Sequence, residues 1–170
     1  MKIDLTKILE KADSTESYAG EYEVESIIFS GMPTPVLVKP FTVFVSNEGG
    51  SRLGIKFDIT GEATLSCSRC LKEVKQGFGF EVDEVFTIKD EKVIVDPDED
   101  GEWFADNEVD IDQMISDEIQ LTLPTGVLCR EDCKGLCPVC GCDRNLKECG
   151  CDTTVLDPRM AKFLDFKIDL

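Results

Sequence analysis

The chain has 170 residues, 42% of them hydrophobic. That is globular material, enough for one ordinary domain or one domain with a stapled appendage. Its 35 acidic and 18 basic residues give a formal charge of -17, which repels phosphate backbones and anionic lipid at long range, and with no histidine the commonest general base is missing.

Residues 2–12 have Ile3, Leu5, Ile8 and Leu9 as apolar positions, and the Leu5–Ile8–Leu9 spacing suits a short helix capped by Thr6 or Asp4. Tyr18 to Phe29 alternates loosely and reads as one strand, interrupted at Gly31, Pro33 and Pro35. Phe41, Val43 and Val45 alternate with polar neighbours, and Asn47 to Gly50 is a turn with two glycines. Leu53, Ile55, Phe57 and Ile59 give the half-buried strand pattern, which Gly61 breaks and Ala63, Leu65 and Cys67 resume. Residues 74–88 form one long strand with Phe78, Phe80, Val82 and Phe86. These strands read as an antiparallel meander.

From Glu81 to Glu118 there are sixteen acidic residues against Lys89 and Lys92. Asp96 to Gly101 reads as a solvated acidic loop. Trp103 and Phe104 either tuck back onto the sheet or anchor a partner. Asp110 caps a helix running to Thr122, with Gln113 at the reciprocal capping-box position, and Pro124 stops it. Asp157–Pro158 starts a terminal helix with Met160, Ala161, Phe163 and Leu164 on its apolar face.

Between Cys129 and Cys151 the chain has few apolar residues and many cysteines. Cys129 and Cys133 come first, then Cys137 and Cys140, then Cys149 and Cys151, with Cys142 as an odd extra. Burial cannot hold such a segment, so a cross-link must, and Zn2+ on thiolates is the first candidate. Cys137-Pro-Val-Cys140-Gly141 has the form of a metal knuckle, with Gly141 free to leave the turn at positive φ. The second pair is Cys149 and Cys151 by preference, or Cys129 and Cys133 upstream. In the first case Cys129 and Cys133 are free to join Cys67 and Cys70 in a second site. Cys67 and Cys70 otherwise read as a tight turn with half-buried thiols.

An odd cysteine count and the metal-knuckle form oppose a secreted disulfide scaffold and point to a reducing cytoplasm. Met1 to Lys11 does not read as a secretory signal, and no apolar run is long enough to span a membrane. Nucleotide-binding loops and serine elbows are missing, and an all-thiolate zinc site is closed. No enzyme activity is expected.

The fold class predicted is α+β, with a curled antiparallel β-sheet or partial barrel, a few short helices and a cysteine-rich zinc-binding C-terminal segment. Residues 1–124 would form the β-rich domain, with its acidic loop and helix 110–122. Residues 125–170 would form the zinc knuckle and a terminal helix packed on the first part.

Several motifs in order resemble the bacterial YceD family, the large ribosomal RNA subunit accumulation proteins. They are the run from Gly61 through Cys67, Arg69 and Cys70 to Leu71, the helix exit at Ile119 to Pro124, Cys133 to Gly141, and Asp157-Pro158-Arg159. The resemblance covers roughly residues 1–168. Cys129, Cys133, Cys137, Cys140, Cys149 and Cys151 match the tail of its cysteine-rich branch. The segment from Cys142 to Asn145–Leu146 departs by an additional residue, which leaves open whether Cys142 replaces a ligand. The resemblance implies a cytoplasmic, non-enzymatic role in 23S rRNA accumulation and large-subunit assembly. Its partners would be a large ribosomal subunit precursor, a basic ribosomal protein or rRNA, with no membrane and no DNA. The rivals are direct RNA binding through Arg130, Lys134, Arg144 and Lys147 on the knuckle, and a thiol- or zinc-responsive regulator.

Overall fold

The computed structural model describes residues 1–95 and 103–152. The acidic loop at 96–101, except for its neighbours from Trp103 onward, and the terminal helix expected after Asp157 lie outside those residues. The chain divides into two compact units. The first is Met1–Leu65 with Val74–Thr125. The second is Ser66–Glu73 with Gly126–Leu170.

The first unit is built on strand β6 (Arg52–Ser66). Its odd positions Leu53, Ile55, Phe57, Ile59 and Ala63 are fully buried, while Lys56, Asp58 and Thr60 are exposed. That is the period-two pattern of a sheet with one covered face. β5 (Phe41–Asn47) pairs antiparallel with residues 53–56, and β4 (Met32–Val38) with residues 61–63. β7 (Glu73–Lys89) pairs with β6 as well, and β8 (Lys92–Ile94) with β7. β2 (Ser14–Gly20) extends the sheet beyond β5, and β3 (Ser26–Phe29) beyond β4. A second, three-stranded sheet has the order β1 (Lys2–Asp4), β10 (Glu108–Asp110), β9 (Phe104–Ala105).

The curled sheet or partial barrel expected from the sequence is not found. The protein is a mixed α and β structure whose sheets stay open. Among the described residues β2, β3 and β8 each have a single strand partner, so no pairing joins the edges. Alternation reports which face of a strand is covered. Closure depends on which strands pair, and no periodicity encodes that.

Three local expectations are also corrected. Tyr18 to Phe29 is two strands, β2 and β3, and residues 21–25 belong to neither. Gly31 follows the end of β3, but Pro33 and Pro35 are not a break after it: they lie within β4. They pair with Ile28 and Ser26 of β3, on the stretch before residues 36–38 meet β6. There the strand has one neighbour and a missing N–H costs no sheet bond. Gly61 does not break β6 either. A Cβ there would stand 2.6 Å from the Leu37 carbonyl oxygen and 2.6 Å from the Phe78 ring. The glycine is required by a close approach inside a continuous strand.

Helix α1 is a single turn, Thr6–Leu9, that follows β1. Asp4 Oδ1 accepts the Thr6 N–H at 2.9 Å; the Thr6 hydroxyl first and that N–H second hold its carboxyl below the ordinary carboxylate range. Helix α2 (Ile111–Thr122) buries Ile111, Met114, Ile115 and Ile119 along one stripe. Asp110 caps it, with Oδ1 accepting from the N–H groups of Asp112 (3.1 Å) and Gln113 (3.4 Å). The capping box is not reciprocal, because the Gln113 side chain donates to Asp117 Oδ1 instead. Trp103 Nε1 donates to Asp117 Oδ2 at 2.7 Å, and Phe104 meets Phe86 edge-on at 4.7 Å. Both rings are thus engaged within the unit.

The buried polar residue Asn47 ties α1 to the β5–β6 turn. Its Nδ2 donates to the carbonyls of Ile8 (2.9 Å) and Leu9 (3.3 Å), and its Oδ1 accepts the Gly49 N–H. The Ile8 carbonyl also takes the Lys11 N–H at 3.3 Å, so the Asn47 amide gives it a second donor and supplies one to Leu9 at the helix end. Asn47→Leu removes these side-chain bonds, at a cost of roughly 1–3 kcal/mol. The single tryptophan, Trp103, reports on this unit, and its fluorescence in urea should show an earlier midpoint for the variant. An unchanged midpoint would show that the carbonyls find other partners.

Candidate metal centres

The second unit starts from a turn. Leu71 N–H donates to the Cys67 carbonyl at 2.9 Å, and Cys67 N–H to the Lys72 carbonyl at 2.8 Å, closing Cys67-Ser-Arg-Cys70 into a knuckle. The same pattern recurs at Cys137-Pro-Val-Cys140. There Gly141 N–H donates to the Cys137 carbonyl at 2.9 Å, and Cys137 N–H to the Cys142 carbonyl at 2.8 Å. In each knuckle the residue after the second cysteine lies in the left-handed region, Leu71 at φ 62° and Gly141 at φ 70°. One hydrogen-bond design therefore serves two sequences, one with the glycine the geometry favours and one without it.

Further bonds assemble the unit. Ser68 N–H donates to the Val127 carbonyl at 2.9 Å, and Cys67 bridges Val127 in parallel register. Arg69 donates through Nη1 to the Cys133 carbonyl at 2.7 Å, while its own carbonyl accepts the Leu136 N–H at 2.9 Å. Gly135 makes that approach feasible, since a Cβ there would stand 2.8 Å from the Arg69 oxygen. Lys72 pairs with Asp143 at 2.9 Å.

The cysteines fall into two groups. The sulfurs of Cys67, Cys70, Cys129 and Cys133 all lie within 4.8 Å of one another, and so do those of Cys137, Cys140, Cys149 and Cys151. Cys129 and Cys133 thus join the Cys67–Cys70 knuckle and not Cys137 and Cys140. Cys142 belongs to neither group. Cys67 and Cys133 sulfurs are 3.9 Å apart, those of Cys70 and Cys129 3.5 Å. A tetrahedron with Zn–S bonds near 2.3 Å has edges of about 3.8 Å, so these separations fit zinc. The donor set is soft thiolate throughout, which excludes magnesium and calcium chemistry. Four protein ligands would leave no open coordination position.

The thiols in each group differ in acidity. Burial opposes the Cys67 thiolate, but the N–H groups of Arg69, Cys129 and Cys70 outweigh it and lower its pKa to about 6. Cys133 is lowered too: burial resists, and the Asn145 amide and Gly135 N–H prevail. Cys129 is pushed up to about 12, first by Cys70 and then by burial. Cys149 drops to about 6, chiefly through the Cys151 N–H, whereas the neighbouring Cys140 and Cys149 push Cys151 up to about 12. Cys142 also rises to about 12, from burial first and Cys149 next. Crowded thiolates repel one another, so part of each cluster keeps its protons until a cation neutralises it.

Asn145, Lys72 and Asp143 fasten these segments together. Nothing in cysteine spacing signals them.

The two all-cysteine groups could each coordinate a metal ion, as in small proteins built on metal knuckles. The model of the family described as large ribosomal RNA subunit accumulation protein YceD matches residues 55–167, a stretch that includes every cysteine. The chain belongs to the YceD family. It is 31% identical over 147 residues to the large ribosomal RNA subunit accumulation protein YCED homolog 1, chloroplastic, of Zea mays, covering 69% of this chain and 49% of that one. It is 36% identical over 101 residues to an uncharacterized protein of Mycobacterium tuberculosis, covering 58% and 48%. An uncharacterized protein of Bacillus subtilis is 31% identical over 111 residues, covering 65% and 63%. The chain spans about half the length of the first of these curated relatives. No solved structure matches it.

Leu71 is a bulky side chain at positive φ, 67% exposed and so without packing to offset the strain. Leu71→Gly should stabilise the knuckle by roughly 1 kcal/mol, seen as slower hydrogen exchange at the amide of residue 71. Unchanged or faster exchange would mean that the leucine side chain contributes to the fold.

Proposed function

We propose that this chain is a non-enzymatic factor in large-subunit ribosomal RNA accumulation, acting in assembly of the large ribosomal subunit. The observation that carries the proposal is the family match across the whole cysteine-bearing stretch. In this proposal Zn2+ is the cross-link, held by Cys137, Cys140, Cys149 and Cys151 in one site and by Cys67, Cys70, Cys129 and Cys133 in the other. Two closed thiolate sites suit a structural task, because neither would present a water for chemistry.

A net charge of -17 favours contact with basic ribosomal proteins, or with rRNA already neutralised by them, in the cytoplasm. Among the described residues no helix is long and apolar enough to cross a membrane. Depletion should lower large-subunit rRNA relative to small-subunit rRNA. The tagged full chain should recover large-subunit precursors at about 0.15 M salt. Unchanged rRNA levels, with recovery of neither precursor nor large-subunit proteins, would contradict the proposal.

One observation favours a second reading, direct contact with RNA. Lys134 and Arg144 line a cleft of about 480 Å³ beside Cys149 and Cys151, together with Glu148. Arg130 is less available, being engaged by Asn145 and Asp132. If the cleft contacts phosphates, Lys134→Gln and Arg144→Gln in the full chain should each flatten the salt dependence of binding to a large-subunit rRNA fragment, by roughly 0.7 in log–log slope. Identical slopes would leave only the protein-mediated reading.

The zinc assignment has its own consequence. Metal affinity in such a segment is folding energy. Cys137→Ser or Cys140→Ser should therefore unfold most of residues 137–152, around the second cysteine group, while the strands of the first unit persist. Amide NMR separates the two units, and native dispersion in the second without bound metal would refute the assignment.

A further inference from the structure

Asn145 lies in the loop between Cys140 and Cys149, which belong to the second cysteine group. Its side chain nevertheless serves the first. Nδ2 donates to Cys133 Sγ at 3.5 Å and to Asp143 Oδ1 at 2.8 Å. Oδ1 accepts from Arg130 Nη2 at 2.7 Å and from the Lys134 N–H at 2.8 Å. These partners fix the amide orientation. The Lys134 N–H and the Arg130 guanidinium can only donate, so the oxygen must face them and the NH2 must face the sulfur.

The same loop is fastened elsewhere to the segments of the first group. Asp143 pairs with Lys72, two residues beyond Cys70, and the Arg144 N–H donates to the Gly135 carbonyl at 3.0 Å, two residues beyond Cys133. Asp143 also bridges Leu136 in antiparallel register. The loop whose ends carry Cys140 and Cys149 is thus the loop that supplies a donor to Cys133.

We propose that Asn145 couples the two metal sites, as an outer-shell donor to the Cys133 thiolate whose position is set by closure of the other site. The inference rests on the two-zinc reading under Proposed function. An N–H on a thiolate sulfur offsets part of its charge and fixes its direction toward the ion. Losing such a partner costs about 10–100-fold in metal affinity. With the second site empty, the loop from Cys142 to Gly150 has no cross-link at its far end. Ordering Asn145 then costs conformational entropy, and the first site binds more weakly. Coupling between binding sites is reciprocal, so filling the first site strengthens the second by the same factor. Asparagine suits the position because aspartate would set a carboxylate against the thiolates.

The test is a double-mutant cycle on the full chain, with first-site zinc affinity measured by competition with a chromophoric chelator. The parent, Asn145→Ala, Cys140→Ser and the double variant are compared. Each single change should weaken the first site by about 10-fold or more, and the second change should add little to the first. Cadmium NMR of Asn145→Asp, which keeps every cysteine and the side-chain size, should show the first-site resonance displaced and the second unmoved. Independent, additive losses would overturn the coupling. So would first-site affinity within twofold of the parent in Asn145→Asp, a result that stands even if Cys140→Ser fails to fold. A parent chain that takes up fewer than two zinc ions overturns the two-zinc reading itself, and the coupling with it.

Discussion

The second unit depends on a meeting of thiols from segments far apart in the chain. Cys67 and Cys133 are separated by 66 residues, and Cys70 and Cys129 by 59, yet their sulfurs approach to 3.9 and 3.5 Å. Among its described residues the unit buries few apolar side chains besides the cysteines, with Val127 one of them. The first unit is different in kind. It is held by Val43, Val45, Leu53, Ile55, Phe57 and Ile59 from the strands and by the buried stripe of α2, an ordinary apolar core. Burial orders the first unit, while the second brings cysteine sulfurs together where an apolar core would otherwise stand.

Much of this was legible in the residues, for identifiable reasons. Alternation at Leu53 to Ile59 marked β6, because a half-buried strand must show period two. Asp110 marked the start of α2, because its carboxylate satisfies N–H groups that no helix carbonyl reaches. The knuckle at Cys137 to Gly141 was visible because its turn closes locally. What failed was information carried by pairing. The open sheets, the continuity of β6 through Gly61 and the placing of Pro33 and Pro35 within β4 all depend on which strand lies alongside. The partition of the cysteines was left open for the same reason, since spacing along the chain did not say that Cys129 and Cys133 would meet Cys67 and Cys70.

The acidity of the chain and the chemistry of its cysteines bear on function together. Four thiolates closed on one metal ion would leave no open coordination position and would suit a structural role. Basic side chains of the second unit are partly engaged within it, Lys72 by Asp143 and Arg130 by Asn145 and Asp132. Lys134 and Arg144 face the cleft beside Cys149 and Cys151. In the role proposed above, a surface of this charge would meet basic proteins or neutralised RNA.

Zinc stoichiometry tests the central claim most directly. Elemental analysis of the purified chain, beside a count of reactive thiols before and after chelation, reads out both cysteine groups at once. Two zinc ions per chain are expected, with Cys142 alone reactive in the loaded protein and all nine cysteines reactive after chelation. A chain that holds its second unit folded with fewer than two ions, or with most of its thiols reactive, would contradict the claim that convergent thiolates on zinc hold that unit together.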